Sequence, residues 1–122
     1  MIITHRNGSI ITDQYATVAD AVQAGVDLAG ANLRNADLAG ANLSYANLRF
    51  ATLTGANLTG ANLTVADLRN AVLTDANLSY ANLRFANLTG ANLTGANLTG
   101  ADLTGADLTG AIISLGNRQV TL

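Results

Sequence analysis

From Ala31 to Ala111 an alanine returns at every fifth residue without a miss, and two places after it comes leucine, once isoleucine, as in Ala31-Asn32-Leu33-Arg34-Asn35. Neither straight secondary-structure element can use that period. Five steps of about 100° carry each leucine roughly 140° around an α-helix axis, so the leucines would spread over every face. In a straight β-strand an odd period sends successive leucines to opposite sides. Only a chain that turns once per repeat points all of them inward, and such units bury their apolar side by stacking on neighbours, as solenoids do.

The repeated unit Ala-(Asn/Asp)-Leu-(Thr/Ser/Arg)-X resembles the consensus of the pentapeptide-repeat proteins. It runs from Val26 to Leu115 as eighteen consecutive units, with departures at Val26, Thr52, Val72, Ile112 and Ile113. The resemblance implies an all-β solenoid, a right-handed quadrilateral β-helix with four units to each coil of twenty residues. Eighteen units then make about four and a half coils, roughly 22 Å long at the β-spacing. The chain divides accordingly into an N-terminal hairpin and capping helix (1–25), the β-helix (26–115) and a C-terminal tail (116–122).

The first fifteen residues ignore this clock. Ile2-Ile3-Thr4-His5-Arg6, Asn7-Gly8 and Ser9-Ile10-Ile11-Thr12 together predict a β-hairpin, Asn-Gly being the strongest short turn signal. Thr17-Val18-Ala19-Asp20 resembles a capping box with Asp in place of Glu or Gln, and Gly25 is a stop, so a short helix is expected from about Val18 to Ala24. Its expected place is over the first coil, because an uncapped solenoid end exposes apolar core and unpaired strand edges. At the other end the clock stops at Ala111-Ile112-Ile113-Ser114-Leu115, and Gly116 to Leu122 follow with no comparable cap. Ile112, Ile113 and Leu115 are therefore a candidate end interface, covered either by the tail or by a second copy of the chain. Members of the family that this chain resembles are often dimers through such ends.

Ala41 to Thr64 and Ala76 to Thr99 are the same 24 residues except for Thr52 against Asn87. Their offset is seven units, which is not a multiple of four, so in a square coil the second copy is rotated by one face. Expansion of this kind keeps the core and disregards the outside, which argues against a finely specified face used twice.

On twenty-residue columns Tyr45, Val65 and Phe85 fall in one row, with Phe50 and Tyr80 on the flanking columns. This apolar ridge is a candidate docking stripe for a protein partner, or else a set of side chains that stack between coils. Because Tyr, Phe and Val resist positive φ, their corners are expected to use a different turn geometry from the glycine corners. The Asn and Asp before each leucine form ladders suited to satisfying turn carbonyls and one another. Arg49 and Arg69 share a column beside Asp67, a solvated surface set rather than a converging phosphate site.

Chemistry is excluded on several counts. The sequence has no cysteine, so thiolate, disulfide and Cys-based zinc chemistry are absent. His5 is the single histidine and reads as an ordinary strand residue. Asp27, Asp67 and Asp107 are separated by whole coils, which suits no metal. No catalytic residue, cofactor or metal ligand is therefore expected, and a filled Ala/Leu shaft offers no obvious cleft. Six arginines against eight aspartates, with net charge −2, imply no nucleic-acid partner. The start of the chain has no signal-peptide pattern and no stretch is apolar enough for a membrane, so a cytoplasmic setting is expected.

The expected function is a non-enzymatic structural or protein-interaction solenoid. The resemblance implies an alternative, a DNA mimic that inhibits or protects a type II topoisomerase. Such mimicry needs a long, strongly negative surface, whereas six aspartates from Asp27 to Asp107 are offset by four arginines. Rows of threonine such as Thr54, Thr74 and Thr94 also resemble a hydroxyl lattice for ice, but threonine simply suits a strand.

Overall fold

The computed structural model describes residues 2–5, 7–12, 17–115 and 117–122. Arg6 and Gly116, which the expected hairpin and tail include, lie outside the described residues. The repeats stack with a step of twenty residues. Parallel bridges link Asn32, Thr52, Val72 and Asn92 in one column and Asp37, Asn57, Asn77 and Asn97 in the next. Asn42, Asn62, Asn82 and Asp102 form a third, and Asn47, Asp67, Asn87 and Asp107 a fourth. Each coil thus has four faces. We number them from the face that carries Leu28, Leu48, Leu68, Leu88 and Leu108, followed in chain order by the faces of Leu33, Leu38 and Leu43.

One unit shows how the ladder closes. Leu58 N–H donates to the Asn77 carbonyl (2.7 Å), Gly60 N–H to the Ser79 carbonyl (2.9 Å), and Ala61 N–H back to the Leu58 carbonyl (3.0 Å). With the Asn57 N–H donating to the Ala36 carbonyl (2.9 Å), a mid-shaft rung thus satisfies its backbone on the coils above and below, while the last bond closes the turn into the next face. Leucine fills the axis and alanine beside it is small enough to let neighbouring rungs meet. All leucines of the series from Leu43 to Leu88 are fully enclosed (0%).

Two expectations need correction. The Asn and Asp side chains serve turn N–H groups rather than turn carbonyls. Asn62 Oδ1, for instance, accepts from the Thr64 N–H (3.0 Å) and the Thr64 hydroxyl (2.6 Å), and this arrangement recurs along the shaft. An Asx turn of this kind prepares the corner that follows. The second correction concerns the corners of Tyr45, Phe50, Val65, Tyr80 and Phe85. They do not use another turn geometry: their φ values are 61°, 58°, 60°, 58° and 58°, close to the 65° of Gly60. The residue is pinned on both sides, since Tyr80 N–H donates to the Thr99 carbonyl (2.8 Å) and Ala81 N–H to the Leu78 carbonyl (3.0 Å). Ladder bonds and core burial outweigh a local preference on the order of 1–2 kcal/mol.

The ends differ. Strands β1 (Ile3–His5) and β2 (Ile10–Thr12) pair antiparallel, and β1 pairs antiparallel with β3 (Ala31–Asn32). Helix α1 (Val18–Gln23) begins at Thr17, whose hydroxyl accepts from the Asp20 N–H (3.0 Å), and it buries Val18 and Ala21. At the C-terminal end β4 (Asn92–Leu93) pairs parallel with β5 (Ile112–Leu115), which pairs antiparallel with β6 (Arg118–Thr121). The tail is thus a return strand, with Leu122 N–H bonded to the Ala111 carbonyl at 2.8 Å. The second face gains antiparallel strands at both ends and becomes a continuous sheet from β2 through the bridges to β6. The other three faces have no such extension at the C-terminal end among the described residues, and Leu98, Leu103 and Leu108 are only partly buried there.

Candidate protein-interaction surface

The corner between the fourth and first faces carries Tyr45, Val65 and Phe85. Phe50 stands at the next corner and Tyr80 at the preceding one. All five side chains are exposed, from 40% for Val65 to 76% for Tyr45. Each aromatic backbone is held by the ladder, so these side chains stand on a rigid frame rather than on a loop.

Some of the exposed rings also stack between coils. A methyl group added to Gly100 would lie 2.6 Å from Tyr80 Cδ1, and one added to Gly105 would lie 2.5 Å from Phe85 Cδ1. Each ring therefore covers the glycine one coil on and still presents more than half of its surface to solvent. Stacking and availability for docking coexist in the same side chains.

Arginines border the ridge. The Arg49 guanidinium carbon lies 5.7 Å from the Phe50 ring centre and that of Arg84 lies 5.6 Å from the Phe85 ring centre, both within cation–π range. Arg69 forks onto Asp67, Nε to Oδ1 at 2.8 Å and Nη2 to Oδ2 at 2.5 Å. That fork is the main reason the Asp67 carboxyl sits below its ordinary pKa. Arg84 reaches Asp102 on the next coil at 3.5 Å. The Asp102 carboxyl is likewise lowered, chiefly by the Thr104 hydroxyl and N–H, and Asp107 by the Thr109 N–H.

Of the candidate end interface, Ile112 and Ile113 lie in β5, half-buried, with β6 against them, while Leu115 is 60% exposed. Leu98, Leu103 and Leu108 on the other faces of that end are likewise only partly buried. His5 lies in β1 and lines a shallow hollow of about 490 Å³ with Asn7, Ser9, Gly30 and Phe50. A second hollow of about 400 Å³ lies between α1 and the third face, lined by Val18, Ala36, Leu38 and Ala41 among others. His5 and Ser9 share the first hollow, but the Ser9 hydroxyl donates to Asn7 Oδ1 (2.8 Å), and no group of three or more potential metal ligands occurs among the described residues. No described helix is long and apolar enough to cross a membrane.

Sequence reasoning passed over Arg49 as part of a neutralised surface set. Its signal was local, since Leu48-Arg49-Phe50 recurs as Leu83-Arg84-Phe85 and both arginines stack on the following ring.

Pentapeptide repeats are matched in eight copies over residues 24–60, 53–95 and 76–114. Among solved structures, the chain is similar to a pentapeptide repeat protein from the Arabidopsis thaliana thylakoid lumen. The two are 38% identical over 75% of this chain and 66% of that one, with a TM-score of 0.69. It is also similar to HetL, a pentapeptide repeat protein involved in heterocyst differentiation regulation from the cyanobacterium Nostoc sp. strain PCC 7120. That pair is 48% identical over 67% of this chain and 40% of that one, with a TM-score of 0.50. The chain thus spans just under two thirds of the first relative and well under half of the second. No curated protein matches it. The five-residue clock, the twenty-residue ladder and these matches agree: the chain belongs to the pentapeptide-repeat family, whose members fold as right-handed quadrilateral β-helices.

Proposed function

We propose that the chain is a non-enzymatic protein-interaction solenoid of about four and a half coils that docks a protein partner along the Tyr45/Val65/Phe85 corner and its flanks. The observation that carries this reading is the exposure of five large apolar side chains on three successive corners. Aromatic and arginine side chains on a rigid frame have the composition of interface hot spots. A photo-crosslinking residue placed at Phe85 tests it in the host cell. A discrete adduct from that position and none from Thr99, on the third face, is the expected result; equal or absent labelling at both sites would remove the ridge as a docking surface.

A second reading concerns the C-terminal end, where a homodimer would cover the open coil. It is favoured by the contrast between the fully enclosed Leu43 to Leu88 and the partly buried Leu98, Leu103 and Leu108, and isologous closure is the commonest solution for such a surface. Light scattering on the full chain should then give twice the monomer mass, and Leu103→Arg should halve it. A monomer at micromolar concentration would overturn the dimer. A cytoplasmic setting belongs to the same proposal and is tested by cell fractionation. Recovery from an organelle lumen, the compartment of the Arabidopsis relative, would contradict it.

A further inference from the structure

We propose that Arg49, stacked on the Phe50 ring, anchors an acidic peptide segment of the docked partner; this rests on the ridge being a docking surface and names the chemistry that the ridge selects. Three arginines lie on the two faces that flank the ridge, and two of them are occupied. Arg69 is held by the fork to Asp67 and Arg84 by Asp102. Arg49 has Asn47 at the position where Arg69 has Asp67, and it has no carboxylate partner among the described residues. The nearby Asp67 carboxylate feels the Arg49 charge only as a minor influence, its two oxygens being taken by the Arg69 fork.

The Arg49 side chain is also set in place. Its Nε is enclosed without a hydrogen-bond partner, and its guanidinium carbon stands over the Phe50 ring. What remains available is the terminal pair of nitrogens, a planar fork that matches a carboxylate. A guanidinium already fixed by stacking loses little freedom on binding. The Phe50 ring on which it stacks also lines a hollow with His5, Asn7, Ser9 and Gly30, none of them acidic. A methyl at Gly30 would lie 3.4 Å from His5 Nδ1, so glycine there keeps the floor low. Tyr45 and Phe50 bracket Arg49 from the two corners of its face, so apolar residues on either side of the partner's carboxylate have rings to rest on. Charge and shape together select an extended segment with Asp or Glu between apolar residues.

The test uses the relation between Asp67 and Arg69. Random twelve-residue peptides displayed on phage are selected against the full chain, and the enriched peptides are then synthesised and titrated. Enrichment of Asp or Glu flanked by apolar residues is expected. Asn47→Asp supplies Arg49 with an internal carboxylate and should weaken the selected peptides about tenfold, the loss of one charge-assisted contact. Asn77→Asp adds the same charge to the opposite face and should leave binding unchanged. Equal weakening by both variants would reduce the effect to net charge and overturn the anchor. Neutral or basic peptides that lose binding on Tyr45→Ser but not on Asn47→Asp would overturn the acidic partner while sustaining the ridge. Failure to enrich any peptide sensitive to Tyr45→Ser or Asn47→Asp would count against both.

Discussion

The ring of Tyr80 rests on Gly100, twenty residues on, so closely that a methyl group there would sit 2.6 Å from Cδ1. Gly60, on the same column one coil before Tyr80, has nothing within 4 Å of the same added methyl. Both glycines have positive φ, +69° and +65°. Gly60→Ala should therefore cost only the backbone term, about 1 kcal/mol, and Gly100→Ala about 2 kcal/mol because the ring must also move. Urea titrations of the two variants measure the difference. Equal losses would mean that the Tyr80 ring swings aside without cost.

How much of this was legible varies with the kind of force involved. The Leu/Ala clock depends only on what must be buried, so the stacking of repeats and the inward leucines could be read directly. The corners could not, because a residue's own φ preference says nothing of the ladder bonds that hold Val65 or Tyr80 from both sides. The return strand β6 has its trace in the sequence, Gly116-Asn117 between two four-residue runs being a hairpin signal. Arg49 was legible in part: the Leu-Arg-Phe repeat and the shared column with Arg69 stand in the sequence, whereas the Arg69 fork and the Arg49 stacking on Phe50 depend on side-chain geometry.

Burial along the shaft predicts a gradient of cost. Leu68 is fully enclosed at mid-shaft, whereas Leu103 on the last coil is partly buried. Leu68→Ala should cost about 2 to 5 kcal/mol, and Leu103→Ala about half as much. Denaturant midpoints for the two variants at two protein concentrations check this. A Leu103→Ala penalty that grows with concentration would be the mark of a second copy seated on that end.

Thr52 breaks the row of Asn and Asp on the second face, and its hydroxyl is enclosed with no hydrogen-bond partner. Val72 follows one coil on, showing that the column accepts a β-branched apolar side chain. Thr52→Val removes an unsatisfied polar atom at nearly constant volume and should stabilise the chain by about 1 kcal/mol. A rise in Tm by calorimetry is the expected result. An unchanged or lower Tm would indicate that the hydroxyl has a partner in solution.

The fork between Arg69 and Asp67 sets the sign of the acid response. The folded state holds the Asp67 carboxyl below the usual value of 3.8, so the unfolded chain takes up its proton first as pH falls. The stabilisation from this group is complete above the unfolded pKa and is lost as pH drops through the lower folded value. Asp102 and Asp107 are shifted in the same direction and add to the slope. Stability should be flat from neutral pH down to about 5 and then fall steadily. Asp67→Asn should cost about 0.5 kcal/mol at pH 7, since the pair is partly solvated. It should also make the decline below pH 4 shallower, leaving the part owed to Asp102 and Asp107. Urea titrations of both chains at pH 7, 4 and 3 decide the matter, and parallel curves at all three would show that the fork contributes nothing to the acid response.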